Sequence, residues 1–130
     1  MHNALSRGAF VIVFLGAVNT AYAAGDVAKG QAAFQKCIDC HEVGPNAKNK
    51  SGPVLNNIVG TKAGSQSGFN YSQAMRISGE KGLVWSASAL DGYLKKPRKF
   101  IPGTKTGFSG LRSKGTRADV IAYLQSFSGK

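Results

Sequence analysis

Cys37-Ile38-Asp39-Cys40-His41 is the stretch of this chain whose residue types and spacing carry a specific chemistry. Two thiols three positions apart lie on one face of a helical turn, where they can add to the two vinyl groups of one porphyrin. The following residue, His41, can then ligate the iron. C-x-x-C-H is the attachment signature of a c-type haem. Two other chemistries also use paired cysteines. A thioredoxin-like redox dithiol wants a βαβ setting, which the sequence does not offer. A structural zinc takes four nitrogen or sulfur ligands, whereas the whole chain holds two Cys and two His, one of them the near-terminal His2. One covalent haem c is therefore the expected cofactor, with Cys37 and Cys40 as thioether sites and His41 as axial iron ligand.

The elements that must position this pentapeptide read as short helices joined by long loops. Residues 26–39 have a capping Asp26, a basic Lys36 near the far end, and Val27, Gly30 and Phe34 on one face. A glycine inside a helix costs stability relative to alanine, so Gly30 marks a place where another helix crosses closely. Residues 42–70 are rich in Gly, Asn, Ser and Lys and read as loop. A loop of that length counts against a compact domain unless it wraps a large flat cofactor that supplies the missing apolar core. Residues 71–77 suggest a short helix stopped by Gly79, and residues 86–96 a second, capped by Ser86 or Ser88 and ended by Pro97. After another loop, Thr116 is the expected cap of a last helix over 116–126. Its apolar set, Val120, Ile121, Tyr123, Leu124 and Phe127, would meet the Gly30/Phe34 face. No strand pattern competes with these helices. The expected fold class is all-α, with short helices and long loops around one haem.

The N-terminal residues set the compartment. Arg7 forms a short positive region, residues 10–18 are an apolar run broken by Gly16, and Ala21-Tyr22-Ala23 offers a cleavage site. The run is too short to span a bilayer. Residues 1–23 thus read as a secretory signal, with an uncleaved anchor as the alternative, and residues 24–130 as one domain exported to a bacterial periplasm. The chain carries 17 Lys and Arg against 6 Asp and Glu, a formal net charge of +11. Cleavage would remove Arg7 and no acid, so the excess persists. Nucleic acid is not an expected partner outside the cytoplasm, and the lysines are dispersed rather than gathered into an arm. The field suits steering toward acidic redox proteins or membrane redox complexes, with membrane contact only through such partners and the protein itself a monomer. A merely solubilising basic surface is the alternative.

Several further motifs, in order along the chain, resemble class I cytochromes c of the mitochondrial and purple-bacterial soluble type. They are Gly25-Asp26-Val27 with Gly30 and Phe34; Ser51-Gly52-Pro53; Gly68-Phe69-Asn70-Tyr71-Ser72-Gln73-Ala74; Gly82-Leu83-Val84-Trp85; Tyr93-Leu94; Pro97 to Lys105; and Val120-Ile121-Ala122-Tyr123-Leu124. The resemblance spans essentially all of residues 24–130. It implies that the Pro53 carbonyl accepts a hydrogen bond from the second ring nitrogen of His41, fixing its tautomer and raising its basicity. It further implies that Tyr71 and Trp85 donate to a buried propionate and that Tyr93 lines the distal side. Trp85 and Tyr93 would equally serve as core aromatics.

One position departs from the family. Where the pattern continues Pro-Gly-Thr-Lys-Met, with the Met sulfur as sixth ligand, this chain reads Pro102-Gly103-Thr104-Lys105-Thr106. A neutral Thr106 hydroxyl is a poor iron ligand. The replacements available are Lys105 or Lys99 as a deprotonated amine, water, or a vacant site; Met75, in the short helix near the propionates, ranks behind these. Lys105 otherwise serves as a solvated docking lysine. Loss of the thioether should lower the reduction potential. Two functions follow from this pattern. One is a one-electron carrier with the haem edge ringed by Lys36, Lys95, Lys96, Lys99 and Lys105. The other is a haem protein that binds or senses carbon monoxide, nitric oxide or peroxide on an open distal face. No distal His or Arg suited to peroxide cleavage can be picked out, so an enzyme is not expected.

Overall fold

Ser and Asp side chains set the starts of most of the helices. In the computed structural model, which describes residues 24–129, Asp26 accepts from the Lys29 amide and opens α1, Val27–Phe34. Ser72 likewise accepts from Met75 to open α2, Gln73–Glu80. Ser86 accepts from Ala89 to open α3, Ala87–Lys95. Lys96 is then extended, as the residue before a proline prefers, and Pro97 takes the first position of α4, Pro97–Phe100. Ser113 caps α5, Lys114–Gln125. The signal segment read from residues 1–23 lies outside the described residues.

The regular elements among the described residues are all helices, with a single isolated antiparallel bridge between Lys62 and Val84. This is the all-α class expected. Three boundaries differ from the sequence reading. The first helix tightens after Phe34 into successive turns, with Cys37 N donating to Phe34 O at 2.7 Å and Cys40 N to Cys37 O at 3.1 Å. The second helix does not stop at Gly79 but runs through it, because Gly79 is buried against the Ala63 carbonyl, a place no Cβ could occupy. The last helix begins earlier than Thr116, because the Ser113 hydroxyl already accepts from the Thr116 amide and nucleates the turn.

The crossing of α1 on α5 organises the rest. A Cβ at Gly30 would overlap the Asp119 carbonyl, so only glycine lets the two backbones approach this closely. Around that crossing Phe34, Leu111, Val120 and Leu124 form one buried cluster, each worth roughly 1.5–3 kcal/mol when fully buried. A second cluster gathers Ala63, Trp85, Leu90, Ile101 and Ile121. Ile58, Val59 and Leu94 pack against both. The long 42–70 segment is held by distant partners: Trp85 N donates to Thr61 O and Gly60 N to Trp85 O, both at 2.8 Å, and Ala63 N donates to Leu83 O at 2.9 Å. No helix among the described residues is long and apolar enough to cross a membrane.

Candidate functional site

Cys37 and Cys40 are both free thiols, the first half-buried and the second exposed, on the turn that follows α1. Burial raises the Cys37 pKa, its neighbour Cys40 adds to the rise, and Lys36 opposes it. The same turn delivers His41, whose amide donates to the Cys37 carbonyl at 2.9 Å. His41 Nδ1 donates to the Pro53 carbonyl at 2.7 Å, which leaves Nε2 as the free lone pair of a neutral imidazole. Burial lowers the His41 pKa, with the Pro53 bond pulling the other way. A neutral ring is the form that can ligate a metal.

The second residue of Ser51-Gly52-Pro53 has a role that spacing alone did not reveal. Gly52 is buried against the imidazole, and a Cβ there would overlap the His41 ring. Its amide donates to the Cys40 carbonyl at 2.9 Å. Lys50 closes the same corner, with Nζ donating to the Ile38 carbonyl at 2.8 Å and pairing with Glu42 at 3.1 Å. The Glu42 carboxyl is held below its usual range, first by the Lys48 amide and then by Lys50. Two adjacent thiols and an imidazole with one nitrogen committed and the other free fit a covalently tethered, histidine-ligated haem. They do not form part of a protein-only metal site: among the described residues no group of three or more His, Cys, Asp or Glu is placed to hold a metal.

Tyr71 and Trp85, far apart in sequence, line one cavity of about 260 Å³ together with Asn56, Thr61 and Gln66. Trp85 is 5 % exposed. Burial raises the pKa of Tyr71, opposed by a bond to the Gln66 backbone. Both aromatics line this hollow, whose other walls include the polar side chains of Asn56, Asn57, Thr61 and Lys62. Tyr93 packs edge-on against Trp85 at 5.1 Å between ring centroids, and its hydroxyl shares a hydrogen bond with Thr104 at 3.1 Å. Burial raises the Tyr93 pKa, while Thr104 opposes the rise.

Thr106 sits half-buried in the 101–113 loop, and its hydroxyl accepts from the Phe108 amide at 3.2 Å. Lys105 and Lys99 are exposed. Met75 packs against the cluster around Trp85, which also takes in Tyr93. Arg117, absent from the sequence reading, is 4 % exposed and bonded to Asp91, Leu111 and Arg112. Its signal was present: it precedes Val120 by three positions and Ile121 by four, on the apolar face of α5.

No family model matches the sequence. Individual proteins do. Cytochrome c2 of Rhodomicrobium vannielii is 53% identical over 111 residues, covering 85% of this chain and 86% of that protein. Cytochrome c-550 of Ancylobacter novellus is 48% identical over 78% of this chain and 94% of its own length. Among solved structures, cytochrome c2 of Rhodospirillum centenum superposes with a TM-score of 0.75 at 42% identity, covering 80% of this chain and 99% of that one. Cytochrome cH of Methylobacterium extorquens gives 0.72 at 39% identity, over 78% and 99%. At such identity over most of each length, with two thiols and an oriented histidine on one turn, the chain belongs to the cytochrome c2 group of class I cytochromes c, electron-transfer proteins rather than enzymes, which carry one covalently attached haem c.

Proposed function

We propose that this protein is an exported, periplasmic one-electron carrier whose sixth iron position is left to an exchangeable small ligand instead of a methionine. Cys37 and Cys40 would hold the haem through thioethers, and His41 would be its proximal ligand. When bound, the haem supplies an iron that alternates between ferrous and ferric states. Everything else is work for the protein. Pro53 and Gly52 hold the His41 ring in one tautomer and one orientation, so little reorganisation accompanies electron gain or loss. Tyr71 and Trp85 would donate hydrogen bonds to a propionate in their shared hollow, and Tyr93 would line the distal side. Lys36, Lys95, Lys96, Lys99 and Lys105 are all exposed and would steer acidic partners to the haem edge; such steering speeds encounter more than it tightens binding.

The observation that carries the non-methionine reading is Thr106. Its hydroxyl already accepts a local hydrogen bond from Phe108, and a neutral hydroxyl has little affinity for iron. The exposed side chains of Lys105 and Lys99 favour an exchangeable ligand over a resident amine. The same observation supports a second reading, in which the protein binds small ligands such as carbon monoxide or nitric oxide as its main task. Spectra of both oxidation states, carbon monoxide binding and the midpoint potential separate the two. Rapid binding with a strongly negative potential favours the binding protein; slow or weak binding with a potential that partners can use favours the carrier. Thr106→Met should raise the potential by on the order of 100 mV, a fraction of the range that axial ligation spans, and suppress ligand binding. No change in either would remove Thr106 from the iron.

A further inference from the structure

Among the described residues Arg117 is the one buried charged side chain. Burying a guanidinium is expensive, and a buried ion pair is weak grounds for stability as such. What such a group does well is fix a register, because its planar fork spans several acceptors at once. Arg117 Nε donates to Asp91 Oδ1 at 2.7 Å, and its Nη1 donates to the Leu111 and Arg112 carbonyls at 2.9 Å each. One side chain on α5 thereby ties α3 to the C-terminal root of the loop that carries Thr106.

Two neighbouring contacts reinforce this root. Leu111 N donates to the Leu94 carbonyl at 2.7 Å. Gly110, at φ +111°, lies so close to the Lys95 carbonyl that no Cβ fits. The N-terminal root is held by buried Ile101, by Thr104 N donating to Ile101 O at 3.1 Å, and by the Tyr93–Thr104 hydroxyl pair. Between the roots, the hydrogen bond made within residues 105–110 is the local one from Phe108 N to Thr106. The loop is clamped by hydrogen bonds at its ends, and its middle is held by the packing of Phe108 against the cluster of Phe34, Leu111, Val120 and Leu124 rather than by hydrogen bonds to other elements.

We propose that Arg117, held in place by Asp91, is a positioning residue for the distal loop: by clasping the Leu111 and Arg112 carbonyls it keeps residues 104–108 closed over the sixth iron position and sets how fast small neutral ligands reach it. The proposal rests on the reading of Thr106 as the residue over the iron. In a family member with a methionine ligand the iron itself would pin the middle of the loop. Here the Arg117 clamp carries that task from one end.

The test uses the haem-loaded protein and measures carbon monoxide association with the ferrous form. Arg117→Lys keeps the charge but cannot reach the carboxylate and both carbonyls together, so association should accelerate on the order of tenfold, as expected when a local opening becomes easier. Asp91→Asn, which leaves the guanidinium in place but loosely held, should give a smaller acceleration and serves if the lysine variant fails to fold. Tyr123→Leu removes ring contacts with Phe34 and Phe127 on the α1–α5 face and should cost stability while leaving the association rate unchanged. Rates for Arg117→Lys and Asp91→Asn within about twofold of the parent, or an equal acceleration in Tyr123→Leu, would overturn the proposal, since local opening would then not depend on this clamp. Thr106→Met separates the two ideas. If it suppresses binding while the Arg117 variants do nothing, the clamp alone is wrong; if it changes nothing, the placement of Thr106 is wrong.

Discussion

The two sides of the candidate haem site are built on opposite plans. On the His41 side the Cys37–His41 turn and the loop after it are cross-linked by hydrogen bonds between residues distant in the segment. His41 bonds Pro53, Gly52 bonds Cys40, Lys50 bonds Ile38, Leu55 N donates to Glu42 O, and Asn56 exchanges two hydrogen bonds with Gly44. On the Thr106 side the loop is fastened at Tyr93 and Arg117; between those fastenings Phe108 packs against the cluster of Phe34, Leu111, Val120 and Leu124, and among the described residues the hydrogen bond made there is the local one from Phe108 to Thr106. A ligand that must not move is surrounded by orthogonal constraints. An exchangeable sixth position, as proposed above, would be served by a loop whose ends are hydrogen-bonded and whose middle is held by packing alone. The contrast also locates where a substitution should show: in the potential and the integrity of the haem on the first side, in ligand access on the second.

The largest effect should come from breaking the rigid side at its tightest point. Gly52→Ala would drive a Cβ into the imidazole, forcing His41 to rotate and give up its bond to Pro53. Overpacking of this kind and a lost bond from a half-buried donor together should cost about 3 kcal/mol. Denaturant unfolding of the haem-loaded protein reads the stability, and the ferric spectrum reads the histidine. A variant with parental stability and an unaltered spectrum would show that the ring has room that the Gly52 contact denies it.

How much of this could be read from residues alone follows the range of the interactions involved. The C-x-x-C-H turn is local chemistry, and so is the Ser86 cap with Pro97 as stop. The crossing of α1 and α5 was legible because Gly30 interrupts an otherwise good helix for a reason that only a close neighbour supplies. Gly79 looked like a stop and is not one, because the contact that requires it, the Ala63 carbonyl, is non-local. Gly115 concealed the true start of α5 at Ser113 by making residues 114–115 look like loop. Gly52 and Arg117 act through partners 11 and 26 positions away in sequence, so no local pattern could name those partners. The 42–70 segment reads as loop and is loop, yet its order comes from Leu83, Trp85 and Phe127, outside the segment.

A smaller effect is expected on the Thr106 side. Tyr93→Phe deletes the hydroxyl that meets Thr104 while keeping the ring that packs against Trp85 and Phe100. Loss of one half-buried hydrogen bond should cost about 1 kcal/mol. If the N-terminal root of the loop matters as the C-terminal one does, carbon monoxide association should quicken as well. Because Tyr93 and Arg117 hold opposite roots, their effects on stability should add within about 0.5 kcal/mol in the double variant. Strong non-additivity would mean that the loop opens as one body and that the distinction between its ends and its middle is misplaced.

The smallest expected effect, that of Glu42→Gln set beside Lys50→Met, is the most discriminating for the rigid side. Lys50 makes two interactions that ordinarily count differently: a pair with Glu42 that is more than a third exposed on both partners, and a charge-assisted bond to the Ile38 carbonyl within the Cys37–Cys40 turn. Exposed pairs contribute between nothing and about 1 kcal/mol and weaken with salt. Lys50→Met keeps much of the stem and removes both interactions; Glu42→Gln removes the ion pair. If the Ile38 bond is the one that matters, Lys50→Met should lower stability by about 1 kcal/mol at high and low salt alike, and Glu42→Gln should lower it by less, with its effect vanishing in salt. Equal, salt-sensitive losses in the two variants would reduce Lys50 to a surface partner of Glu42 and leave the turn held by His41, Gly52 and Pro53 without it.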